Sequence, residues 1–354
     1  MAANGKSNPK REARAKAAER HTTAVATACA KDIERSLAGV HAVEGMPESF
    51  KAAMAAKRAA ASAQADDEPI ESIDAADPET EPEMATDAAG APEEGVPELE
   101  APVLPEVTVL DATATQVVLD HGRGYAQFCD LAVLDFASFT NPGGGYIKGY
   151  MGQESTLCSD SYLYNVLERQ RDWYGENRRR NINCELYRNR ALVVPAVRFE
   201  RNHVHAYADV IVAAAPNAKR ARQEYNVAEK TLVDALRDRI RFVLAVCDEL
   251  GRDKVVLGAY GCDNFGWDAE TVAEAFRVEL ASGDFKVKQV FFAVPSTRWD
   301  EDLAKFEHAF AMFPDANPES YADAAARAAA DRAAQEAAAA AEADEDEDDW
   351  RKYL

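Results

Sequence analysis

The chain has 354 residues, 47% of them hydrophobic, enough for a sizeable core without covalent staples. Its six cysteines are scattered, with no CxxC pair and no histidine at ligand spacing, so the pattern suggests neither a disulfide framework nor a zinc site. The net charge of −22 argues against anionic ligands only until it is located: residues 59–122 contain acids and no Lys or Arg, and residues 315–354 hold twelve acids against four bases, which leaves the remaining chain near neutral.

The first twenty residues are charged and Ala-rich, and no run of eighteen or more apolar residues follows. No signal peptide or membrane span is expected, and the chain reads as cytoplasmic with no membrane partner. Arg11 to Leu37 is free of Gly and Pro and predicts a helix, within an N-terminal helical part of the folded unit over residues 1–58. Residues 59–105 are almost entirely Ala, Glu, Asp, Pro and Gly, which bury too little apolar surface to offset ordering entropy, so a disordered acidic insertion is expected there. The main domain then spans 106–313. Its short β-branched runs are 107–110, 131–136, 192–195, 210–214, 254–257 and 289–294, alternating with helical stretches at 228–250, 269–280 and 301–313. That alternation predicts a three-layer α/β/α domain with ligands held beyond the strand ends. Residues 314–354 form an Ala-rich acidic tail, expected as an exposed helix fraying into disorder before the terminal WRKYL, which names no partner.

Two loops carry candidate chemistry. FASFTNPGGGYIKGYMGQESTLC, residues 136–158, follows an apolar strand; Gly143, Gly144 and Gly145 suit a backbone that approaches a ligand closely, and a tight flexible turn is the plainer alternative. GAYGCDNFGWD, residues 258–268, sets three glycines around aromatics ahead of a helix, either as a phosphate cradle or as a plain connection with Asp268 as N-cap. On their own the two loops also fit a phosphate-ligand site in an unrelated α/β domain.

In this order the loops resemble the microbial poly(ADP-ribose) glycohydrolase family. The motif is three glycines, a spacer YIKGYMG, and Gln153-Glu154-Ser155 where the family has Gln-Glu-Glu; LDFAS before NPGGG, and DVIVAAAPN at 209–217, extend the similarity. The resemblance implies a macrodomain-like fold with a mixed central sheet, ADP-ribose or an ADP-ribosylated substrate as partner, and nucleic acid only as a modified substrate. It calls for no metal or organic cofactor. It implies that Asn141 contacts the distal ribose, that Gly143 to Gly145 line ribose and diphosphate beside Gln153, and that Gly261, Cys262, Asp263, Asn264 and Phe265 wrap the diphosphate. Asp209 and Asn217 stay open between site and scaffold, and the adenine contacts are unplaced.

One departure matters. The family's second Glu is its catalytic acid, and Ser155 stands at that position. Cleaving a ribosyl O-glycosidic bond needs a proton on the leaving oxygen and then an activated water; a carboxyl can do both in turn and a hydroxyl cannot. The expectation divides between a hydrolase in which Glu154 serves as the acid and a reader that binds ADP-ribose without cleaving it. Bland readings are expected elsewhere: His203 and His205 on a surface hairpin, the basic run 177–181 as a solvated loop, and Cys262 as a small buried filler.

Overall fold

A computed structural model describes residues 8–65 and 104–351, with side chains described over 8–60 and 104–339. Helix α1 (Pro9–Ala28) starts at Asn8, whose side chain accepts from the Lys10 amide at 3.1 Å, with Pro at the first helical position. The single N-terminal helix expected from composition is two: α1 stops at Cys29 and α2 (Ala30–Gly39) follows. The break lets each half dock on a different partner. Arg14 Nε of α1 donates to Gly149 O at 2.8 Å, while Ser36 Oγ of α2 donates to Pro195 O at 2.8 Å. Strand β1 (His41–Glu44) and helix α3 (Glu48–Ala65) come next, so residues 59–65 of the predicted insertion are helical, as their Ala, Ser and Gln content permits. The rest of the predicted disordered segment, 66–103, lies outside the described residues.

The main domain runs β2 (Glu106–Leu110), α4 (Ala114–His121), β3 (Leu131–Phe136), α5 (Gln153–Ser159), α6 (Leu163–Leu167), α7 (Arg171–Arg180), β4 (Arg190–Arg201), β5 (Val204–Ala213), α8 (Ala218–Tyr225), α9 (Glu229–Glu249), β6 (Lys254–Leu257), α10 (Ala269–Ala281), β7 (Gln289–Ala293), α11 (Asp302–Phe310) and α12 (Tyr321–Arg351). The seven strands form one sheet in the order β1-β4-β5-β3-β6-β7-β2. The pairs from β5 to β2 are parallel, while β4 and β1 are added antiparallel, which makes the sheet mixed. Alternation along β3 sends Ala132 and Leu134 into a core with α9 and α10, and Leu131 and Val133 into a core with α4 to α7. Helices thus cover both faces of strands that are apolar almost throughout.

Two polar residues inside these layers are structural. Asp209, midway along β5, accepts from the Ala196 amide at 2.8 Å and from Arg252 Nε at 2.7 Å. It therefore holds the bulge of β4 and lines neither of the two cavities described below. Arg239, fully buried on α9, donates to Asn189 Oδ1 at 2.7 Å and to the carbonyls of Ala214 and Tyr187, so its guanidinium ties the end of β5 to the segment before β4. The β4–β5 hairpin turns at Asn202 and His203, both with positive φ, and leaves His203 and His205 exposed. The basic run is no loop: Asn177 to Arg180 are the last turn of α7, where cations complement the carbonyl end of the helix. The tail also departs from expectation, since α12 continues through the acidic residues to Arg351. No helix among the described residues is long and apolar enough to cross a membrane.

Candidate active site

The carboxyl ends of the parallel strands meet at one edge of the sheet, and the two predicted loops leave from neighbouring strands there, one after β3 and one after β6. Between them lies a cavity of ≈ 520 Å³ bounded by Asn141, Gly145, Glu154, Asn217, Gly261 and Phe265. A second cavity of ≈ 640 Å³ adjoins it and reaches α1 and the segments after β2 and β7. Phe136, Tyr150, Met151, Gly152, Gln153 and Ser155 line both, so the two are continuous across the start of α5.

The first loop is built around side chains that fasten α5 to β3. Gln153 accepts from the Phe136 amide at 2.9 Å and donates to Leu134 O at 2.7 Å. Its amide thereby positions α5 on the strand and keeps one hydrogen and one lone pair free. Glu154 Oε2 accepts from the Ser138 amide at 2.9 Å. Gly144 lies directly over that carboxyl: it adopts φ +55°, and a Cβ there would overlap Glu154 Oε2. The glycine is thus required by close approach and by backbone conformation together. Gly143 faces away from the cavity, toward Tyr164, while Gly144 and Gly145 form its wall. Ser155, half-buried, lines both cavities, and its hydroxyl makes no hydrogen bond among the described residues.

Asn141 is exposed at the cavity mouth, donating to Thr140 Oγ1 at 3.1 Å and accepting from Arg178 at 3.3 Å. One amide hydrogen and one lone pair remain for a ligand. Across the cavity, Gly261 takes φ +84°, and a Cβ would meet Trp267 and Ala215 at 2.8 and 2.9 Å, which keeps the second loop tight against the end of β5. Asp263, Asn264 and Phe265 line the cavity, but Cys262 packs against the core behind the loop, and burial pushes its thiol well above the ordinary range. Cys262 is therefore withdrawn from the ligand-facing set. Asp268 caps α10 by accepting from the Thr271 amide at 3.1 Å, and Asn217 caps α8 while also facing the cavity.

Three residues that the motifs did not point to complete the site. Tyr187 lies on the cavity wall, stacked on Phe139 with ring centroids 4.3 Å apart and edge-on to Phe265. It is held by a run of left-handed residues, Asn183, Cys184, Glu185 and Tyr187, none of them glycine. Arg220, on the same wall, pairs with buried Glu185 at 2.8 Å. Asp135 is the third. A carboxyl inside the run LAVLDF is the one signal that would have marked it.

Asp135 is fully buried, and neither of its oxygens has a hydrogen-bond partner among the described residues. Burial pushes its carboxyl up to about 8. Burial first, and then the neighbouring Asp135, hold Glu154 well above the usual carboxylate range against the opposing pull of the Ser138 amide. Burial and mutual repulsion thus oppose ionisation of both carboxyls, which keeps Glu154 able to serve as a proton donor to higher pH than an exposed glutamate. The same shift ties stability to pH. Between an unfolded value of 3.8 and a folded value of about 8 the native state binds the extra proton, so this group's contribution is fully present below the lower value and is lost as pH rises through the upper one. Asp135→Asn should therefore raise the melting temperature relative to wild type by on the order of 5–10 °C at pH 8.5, with little gain near pH 4. Parallel melting curves across that range would contradict the buried-acid reading.

A sequence profile described as "Microbial-type PARG, catalytic domain" matches residues 46–202. The crystal structure of poly(ADP-ribose) glycohydrolase from Deinococcus radiodurans in complex with ADP-ribose is 30% identical, covers 57% of this chain and 83% of its own, and superposes with a TM-score of 0.50. The chain belongs to the microbial-type poly(ADP-ribose) glycohydrolase family. The inhibitor-bound glycohydrolase from Thermomonospora curvata, at 23% identity, shares the fold over 84% of this chain and 100% of its own, with a TM-score of 0.61. No curated protein matches. The profile contains the glycine loop and Glu154 and ends before the second loop.

Proposed function

We propose that this glycohydrolase-family chain binds the ADP-ribosyl group, with distal ribose and diphosphate in the cavity between Asn141 and Phe265, and hydrolyses the O-glycosidic bond at that ribose. The larger, more apolar cavity beyond Ser155 suits the adenine end. The observation that carries the reading is the buried Glu154 carboxyl beneath Gly144 on the cavity floor, where desolvation favours its neutral form. A neutral carboxyl there donates its proton to the leaving oxygen as the ribosyl–oxygen bond lengthens and positive charge builds on the ring. The resulting carboxylate takes a proton from the attacking water, which restores the acid. Desolvation keeps the proton on the acid until it is needed, and the drive for the first transfer comes from the basicity that the leaving oxygen gains as the ribosyl bond breaks.

A second reading is a binder that does not cleave. It is favoured by the contact that fixes Glu154: the carboxyl is engaged by the Ser138 amide, while the position at which the family carries its catalytic Glu is Ser155, one of the residues that line both cavities. Calorimetry with ADP-ribose comes first, because both readings require binding. Wild type should bind, and Asn141→Ala should weaken binding about 3- to 10-fold through loss of one or two neutral hydrogen bonds. Absence of ADP-ribose binding by the wild type would remove both readings. Release of ADP-ribose from poly(ADP-ribose) then separates them.

A further inference from the structure

The last turn of α7 is docked onto the mouth of the site. Asn177 Nδ2, fully buried, donates to Phe139 O at 2.9 Å, and Arg178 donates to Thr140 O at 2.8 Å and to Asn141 Oδ1. Arg179 and Arg180 follow it, both exposed. On the cavity wall itself stands exposed Lys148, at the end of the turn that follows the glycines. None of Lys148, Arg178, Arg179 and Arg180 pairs with a carboxylate among the described residues, although most of the arginines around them do, including Arg171, Arg190 and Arg220. A chain of net charge −22 thus keeps Arg178 against Asn141 without a carboxylate partner, with exposed Arg179 and Arg180 following it in the same helical turn. Complementing the helix end accounts for cations on α7, but it does not account for Lys148, which comes from a different element, or for Arg178 turning onto the loop.

We propose that Lys148 and Arg178 to Arg180 form a subsite for the leaving-group side of a polymeric substrate, contacting the diphosphate of the unit next to the one held in the cavity. This deepens the reading above and rests on it. Everything beyond the scissile bond must leave the cavity past Asn141. In poly(ADP-ribose) the next group to carry charge is a diphosphate, which multiple unpaired cations recognise without reading a base. A single ADP-ribose has no such group and does not reach the rim.

The test uses labelled poly(ADP-ribose) oligomers of two or more units, bound by the full chain and by its Arg179→Ala/Arg180→Ala variant, both carrying Glu154→Gln so that the oligomer persists; Lys148 is left intact because it lines the cavity that holds the ADP-ribosyl group. ADP-ribose calorimetry is run on the same two proteins. The expected result is an oligomer affinity about 5- to 20-fold lower for the variant, a salt dependence shallower by roughly one or two units of slope, and an unchanged ADP-ribose affinity. Equal oligomer affinities, or a parallel loss of ADP-ribose binding, would overturn the subsite. So would competition by single-stranded DNA of equal charge as strong as by unlabelled oligomer, which would make the rim a general polyanion surface. Failure of the parent protein to bind ADP-ribose at all is a different result: it removes the functional reading, and the subsite falls with it.

Discussion

Glu154→Gln is expected to lower ADP-ribose release from poly(ADP-ribose) by roughly 10²- to 10⁴-fold, the range general acid–base catalysis supplies. The amide is nearly isosteric and can still accept from the Ser138 amide, so Gly144 keeps its place and ADP-ribose affinity should change little. Loss in kcat with binding retained distinguishes a missing proton donor from a disturbed loop. Wild-type activity should also fall at high pH as the buried acid ionises, because burial and the adjacent Asp135 raise the Glu154 carboxyl and its protonated form is the active one. Equal turnover by wild type and Glu154→Gln, measured as single-turnover release, would remove Glu154 from the chemistry.

Ser155→Glu is the second large effect, and its expected sign is a gain. Ser155 sits in the first turn of α5 and lines both cavities, so a carboxyl there faces the space they share, one residue along from the Glu154 carboxyl that Ser138 holds. The helix N-terminus tolerates added negative charge, so the fold should accept the change. Turnover should rise about 10- to 10³-fold if wild type is a weak hydrolase, and should appear where there was none if wild type is a binder. Combining Ser155→Glu with Glu154→Gln decides which carboxyl does the work. Activity kept in the double variant assigns it to position 155; activity lost makes Glu154 necessary either way. A folded Ser155→Glu protein that binds ADP-ribose and gains nothing would show that the serine is not what limits the wild type.

Much of this was legible along the chain because it depends on short-range pattern. The runs 131–136 and 254–257 are strands with the expected bounds, since continuous β-branched stretches between turn residues have few alternatives. Gly144, Gln153 and Glu154 were found because the loop that joins a strand to a helix brings them together within eleven residues. Even there a motif marks neighbourhood and not direction: Gly143 and Cys262 face the interior, and Gln153 bonds the strand.

What only tertiary structure decided came from contacts between distant segments. Asp135 reads as one acid in an apolar run until α5 lays Glu154 beside it and shared burial raises both carboxyls. Tyr187 comes from a loop without glycine or a motif, held left-handed by its surroundings, because Arg239, 52 residues away, binds its carbonyl and Phe139 stacks on its ring. The basic run after Asn177 gained a position only when α7 packed on the glycine loop. Local sequence sets backbone preference and hydrophobic period, which are properties of a few consecutive residues. The protonation state of a buried acid and the wall opposite a loop depend on which distant groups share its space, and that is settled when the layers close.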